Sequence, residues 1–212
     1  MPELSGKRAI ERRLAESPIA SAVIRNPAFT DVWLVMVGAK QAANDDPHAT
    51  TGRPYGFMKF WQSLTGNLVA QRGVMIAPGG ANHGSMFITT KDVAHMLAGC
   101  VLHPDANNVV WEASGPEWVT WGEIANMFSK RMEGKKVRAM PLPKQVAALS
   151  QAASGAFSAS AANVLGLVRF VAAYQPRWDP QPLVRRLNLP PQTTVETYLD
   201  QHFNLKECHE NQ

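Results

Sequence analysis

Lys7 and Glu11 stand one helical turn apart in the run "GKRAIERRLAES" (Gly6–Ser17). At that spacing an ammonium and a carboxylate share a helix face and attract each other by about a few tenths of a kcal/mol. The second group with chemical potential is "RNPAF" (Arg25–Phe29), which closes the apolar run "IASAVIR" (Ile19–Arg25). If that run is a parallel strand, Arg25, Asn26, Pro27 and Phe29 lie at its carboxyl end, where open α/β sheets place their ligands. Read as structure alone, Asn26–Pro27 is a strand terminator and Phe29 a buried ring. A third group sets Arg53 and Tyr55 among Phe57, Phe60 and Trp61. Aromatic residues so spaced also make ordinary core.

Other chemistries find little support. His48, His83, His95, His103, His202 and His209 are scattered, and no pair has the spacing of zinc ligands. No serine sits in a G-x-S-x-G elbow. Cys100 and Cys208 form neither a disulfide framework nor a metal-spaced pair, and their usage fits a reducing compartment. The Gly-rich stretch "PGGANHG" (Pro78–Gly84) precedes the strand-like "SMFITT" and lacks the Lys-Ser/Thr of a P-loop, so it reads as a turn between strands. The net charge of +4 is spread along the 212 residues, apart from "KRMEGKKVR" (Lys130–Arg138). Glu133 and Gly134 interrupt that cluster and no aromatic residue interleaves it, so it reads as a solvated helix end rather than a nucleic-acid patch.

These groups need elements to position them. With 45% hydrophobic and 18% charged residues, the chain has the composition of a folded globular domain. After the Gly6–Ser17 helix and the Ile19–Arg25 strand, Asp31–Pro54 carries few signals, and a helix is expected over Phe57–Val69. Gly73–Val101 reads as strand, Gly-rich turn, strand and helix. Asp92 is placed to cap that helix, with Val93, Met96, Leu97 and Cys100 on one apolar stripe. A strand over Asn108–Glu112 precedes a helix opened by a Thr120–Glu123 capping box and stopped by Gly134. A short strand follows at Val137–Met140. Pro141 and Pro143 then open Ala/Ser-rich helices, and a Thr193–Glu196 capping box opens a last helix. The apolar stretch Ser154–Tyr174 is broken by Asn163 and Arg169, so it is expected to be a buried or groove-lining helix rather than a bilayer span. Strand–helix alternation over residues 1–140 implies an α/β fold with a mostly parallel sheet, and residues 141–212 a smaller helical lobe.

Four segments, in order, resemble the NmrA-like, atypical short-chain dehydrogenase/reductase family. They are "GKRAIERRLAESPIASAVIRNPAF", "FITTKDVAHML", "WEASGPEWVTWGEIANMFSKRMEGKKV" and "PQTTVETYLDQH". The match is to the C-terminal portion of that family. Its members are similar in starting with a Rossmann unit, whose Gly-rich turn sets a pyrophosphate on a helix N-terminus. By the size of a doubly wound half, that turn would lie about one hundred residues before Lys7.

The resemblance implies a partial doubly wound, Rossmann-like sheet with a helical substrate lobe. It implies NAD(P) in the intact fold and none, or weak binding, by this chain alone. Lys7 would be the catalytic lysine that holds the nicotinamide ribose. Asn26, Pro27 and Phe29 would line the nicotinamide side, and Arg53 and Tyr55 would border the substrate. The family's Tyr, one turn before the Lys, is replaced here by Glu3. Two functions therefore stand as expectations: an oxidoreductase or epimerase-type protein, or a non-catalytic dinucleotide-sensing or protein-interaction module. The open edge of the Ile19–Arg25 strand is expected to be covered by a second copy or a partner chain. The expected location is the cytoplasm.

Overall fold

The computed structural model describes residues 2–39, 56–103, 106–155 and 158–202. Arg53 and Tyr55 lie outside the described residues. Helix α1 (Pro2–Ala15) leads to strand β1 (Ala22–Arg25). The strand begins later than expected because the Ile19 amide donates to Ser17 Oγ at 3.1 Å, a local turn that precedes the ladder.

Strand pairing is mostly parallel. β1 pairs with β6 (Val109–Glu112), placing Ala22 opposite Val109 and Arg25 opposite Glu112. β2 (Ala28–Phe29) pairs with β5 (Phe87–Ile88). β3 (Val74–Pro78) pairs with β8 (Arg138–Leu142). β4 (Gly84–Ser85) runs antiparallel to β7 (Val119–Thr120). The architecture is the expected α/β type, in which strands that pair are far apart in sequence and helices connect them.

Helix α2 (Thr30–Met36) fills part of the stretch that carried few signals. Every residue in it except Val32 is buried, so there is no polar face and no helical period to read. It packs beside α3 (Gly56–Arg72), where Trp61 Nε1 donates to the Met36 carbonyl at 3.0 Å.

In α4 (Thr90–Leu102) the N-cap is Thr89, not Asp92. The Asp92 amide donates to Thr89 Oγ1 at 3.0 Å, and that hydroxyl donates back to Asp92 Oδ2 at 2.8 Å. Leu97 leaves the apolar stripe, being 49% exposed, while Met96 and Cys100 are buried. Burial raises the Cys100 thiol pKa.

Helix α5 (Trp121–Arg131) opens on the expected capping box. The Glu123 amide donates to Thr120 Oγ1, and the Thr120 amide donates to Glu123 Oε2 at 2.7 Å. The helix ends at Arg131, and Gly134, at φ +67°, makes the turn that follows.

Strand β8 runs on through Pro141, opposite Ala77, so this proline closes a strand instead of opening a helix. Proline is compatible with a strand whose N–H side is unpaired. α6 (Lys144–Gly155) begins beyond Pro143 and packs against α7 (Ala159–Ala173). After α8 (Gln181–Arg186) comes α9 (Val195–His202). Its first turn is capped by Thr194, whose Oγ1 accepts from the Thr197 amide at 3.0 Å. Thr193, expected in that role, donates its amide to Asp92 Oδ2 at 3.0 Å instead.

The main core joins Trp33, Phe87, Trp121 and Phe128 to Val164 and Val168 of α7. A second cluster holds Ile88, Met96 and Cys100 against Leu183 and Leu187. Among the described residues, no helix is long and apolar enough to cross a membrane.

Candidate functional site

A cavity of about 400 Å³ opens where α1, the carboxyl end of β1 and the end of α7 meet. The parallel ladder ends with Arg25 opposite Glu112, so a cation and a carboxylate emerge side by side at the strand ends. Arg25 is oriented from the other side by Glu11 of α1. Its Nη2 donates to Oε2 at 2.6 Å and its Nε to Oε1 at 3.2 Å, a two-pronged contact. The guanidinium hydrogen bonds hold the Glu11 carboxyl below the usual carboxylate range. In return, the bond to Glu11, with lesser contributions from the charges of Glu11, Glu112 and Tyr174, raises Arg25.

This pairing replaces the Lys7–Glu11 contact read from the spacing. Glu11 is within reach of a better partner, because a guanidinium fork matches a carboxylate and an ammonium does not. Lys7 also lines the cavity and is exposed, with no ion pair among the described residues. Asn26 and Pro27 lie in the same wall. Lys7 of α1 therefore meets the adjacent pair Asn26–Pro27 in one lining. Phe29 does not join them: it sits in β2 opposite Ile88 and packs against the second core cluster. In the third group, Trp61 is buried and Phe60 is 61% exposed.

The opposite lining is aromatic and was missed from sequence. Phe170, Tyr174 and Trp178 border the cavity together with Leu167 of α7. The signal was available as an aromatic residue at every fourth position from 170 to 178. Glu112 was also missed, since only the strand register brings it beside Arg25.

The Gly-rich stretch forms a turn from β3 to β4, as expected. Gly79 and Gly80 have φ of +79° and +117°. A Cβ on Gly79 would lie 2.6 Å from the His83 ring. The Gly79, Gly80 and His83 amides donate to the carbonyls of Leu142, Ala77 and Gly80, so three of the turn's donors are already engaged.

No protein-family model and no curated protein sequence matches this chain. Solved structures do. A nucleoside-diphosphate-sugar epimerase from Staphylococcus aureus aligns at TM-score 0.55 and 16% identity, over 89% of this chain and 55% of that one. An NADPH-dependent quinone oxidoreductase from Escherichia coli, complexed with NADPH, aligns at TM-score 0.59 and 19% identity, over 92% and 57%. The Citrobacter sp. triphenylmethane reductase complexed with NADP(H) aligns at TM-score 0.50 and 12% identity, over 91% and 80%. The chain has the Rossmann-like fold of NAD(P)-binding reductases and epimerases. It spans a little over half the length of the first two neighbours, and at these identities the likeness is one of fold.

Proposed function

We propose that this chain forms the nicotinamide and substrate side of the cleft in an NmrA-like, NAD(P)-binding oxidoreductase or epimerase-type protein. The observation that carries the reading is the convergence of Lys7, Asn26 and Pro27 on one cavity at the carboxyl end of a parallel strand.

The residues present fit the nicotinamide end of a dinucleotide. Lys7 offers an ammonium that can donate to ribose hydroxyls, and no internal carboxylate competes for it among the described residues. Ile24 and Pro27 offer apolar surface to a ring, and Asn26 offers both a donor and an acceptor. The pyrophosphate end finds a poor match in the Pro78–Gly84 turn, where the Gly79, Gly80 and His83 amides already donate to backbone carbonyls. When bound, the cofactor would supply hydride transfer. The chain's part is to hold and orient the nicotinamide ribose through Lys7, to fix Arg25 through Glu11, and to exclude water with the aromatic wall.

Among the described residues β1 pairs with β6 on one side only. Its other edge is where a second copy or a partner chain would pair in this reading.

The test is a titration with reduced nicotinamide mononucleotide, followed by saturation-transfer NMR. Saturable binding that Lys7→Ala weakens about tenfold is expected, the size of one lost charge-assisted hydrogen bond. Absence of any transfer to the nicotinamide protons would sink the reading.

A further inference from the structure

We propose that Phe170, Tyr174 and Trp178 form a stacking wall for a flat aromatic ligand carrying an anionic oxygen group, with Lys7 and Arg8 as its charge partners. This rests on the reading of the cavity as a ligand cleft and adds the class of substrate.

The wall is built, not incidental. Phe170 on α7 and Tyr174 at its C-cap lie one turn apart, with ring centroids 5.1 Å apart and planes tilted by 35°. Tyr174 is 46% exposed although its ring borders a cavity. Aromatic area left open beside a charged floor is surface available for stacking. Trp178 comes from the extended segment after α7, and that segment is tied down from two sides. Ser114 Oγ donates to the Trp178 carbonyl at 3.1 Å, and the Arg177 guanidinium stacks 4.4 Å from the Trp118 ring. Holding Arg177 over Trp118 engages its charge outside the cavity lining.

The facing groups select the ligand's polar end. Lys7, Arg8 and Arg25 outnumber Glu11 and Glu112 in the lining. The Glu11–Arg25 pair neutralises one charge of each sign, which leaves Lys7 and Arg8 facing Glu112 among the described lining residues outside an ion pair. A planar ring with an anionic oxygen needs one aromatic face and one or two cations, and the lining offers Phe170, Tyr174 and Trp178 on one side and Lys7 and Arg8 on the other.

The experiment compares 2-naphthoate with decahydro-2-naphthoate, which has the same carbon skeleton and charge but no flat π-face. Binding is measured by calorimetry on the full chain. 2-Naphthoate should bind about tenfold more tightly than its saturated counterpart. Tyr174→Ala should lose about that factor for 2-naphthoate only, and Tyr174→Phe should retain it within about threefold. Lys7→Ala should weaken both ligands alike. Equal affinity for the two acids, no binding of either, or a Tyr174→Ala variant that binds 2-naphthoate normally overturns the proposal. Because Tyr174 lies at the surface, its variants are checked for an unchanged thermal melt. Reduced nicotinamide mononucleotide, titrated in parallel, separates the two readings. Tyr174-dependent naphthoate binding without mononucleotide binding leaves this inference standing and removes the dinucleotide one, and the reverse result does the opposite.

Discussion

Glu11 makes the state of the cleft depend on acid. Its folded pKa lies below the ordinary carboxylate value of 4.5 because Arg25 donates two hydrogen bonds to it. A depressed carboxylate contributes stability that is fully present above the unfolded pKa and is lost as pH falls through the folded one. Glu11→Gln should therefore cost about 0.5–1 kcal/mol at pH 7, the upper range for an exposed pair because the geometry is two-pronged. The gap between the proteins should close in urea melts taken progressively below pH 4.5. Two glycines give opposite expectations. A Cβ on Gly6 would meet nothing within 4 Å, so Gly6→Ala in α1 should stabilise by about 0.5–1 kcal/mol. A Cβ on Gly115 would lie 1.6 Å from the Phe87 carbonyl oxygen, a backbone atom that cannot step aside, so Gly115→Ala should cost about 3 kcal/mol or more. Lys7, Asn26 and Pro27, which line the cavity, could be singled out in sequence because each sits in a short motif with its own chemistry. Glu112 and Tyr174 could not, because what brings them to the same cavity is a partner far along the chain.

Elements show the same division between local and distant causes. The Thr120–Glu123 capping box was readable because all its bonds close within one turn. Thr120→Ala should lower stability by about 1 kcal/mol in chemical denaturation, and it should raise the Glu123 pKa only in part: the bond from the Thr120 amide, the larger cause, survives, and the bond from Thr120 Oγ1 at 2.8 Å is lost. The start of α4 was misread for the converse reason. Asp92 resembles a cap in sequence, but its carboxylate accepts from Thr89 Oγ1 and from the Thr193 amide, a residue 101 positions later. Asp31 adds a second carboxylate there, accepting from the Thr90 amide at 2.9 Å. Both charges complement the positive end of the helix dipole. Asp92→Ala should thus cost about 2 kcal/mol, since it strands the buried Thr89 hydroxyl and the part-buried Thr193 amide together. It should also speed proteolysis in the segment before α9, a readout that loss of a simple cap would not move.

For the whole molecule, alternation of strands and helices was enough to read a parallel α/β fold, because parallel strands require long crossovers. Which strand pairs with which was not readable, since register depends on packing between segments as distant as Ala22 and Val109. The pairing decides what the cleft can hold. β1 and β6 together present Arg25 and Glu112, α1 brings Lys7, and α7 brings the aromatic wall. In the Gly-rich turn the Gly79, Gly80 and His83 amides are engaged with backbone carbonyls, which leaves that turn few donors for a pyrophosphate. In a complete dinucleotide site free amides and a helix terminus hold the diphosphate, and the affinity for the whole molecule rises well above that for its nicotinamide half. Here the two affinities should be alike: NADPH and reduced nicotinamide mononucleotide should bind this chain within about threefold of each other, because the extra phosphates gain only screened attraction to surface cations. Raising the salt should weaken NADPH slightly more than the mononucleotide. A preference for NADPH above about a hundredfold, or nearly 3 kcal/mol, would mean that residues outside the described segments complete a phosphate cradle, and the cleft would then have to be redrawn around them.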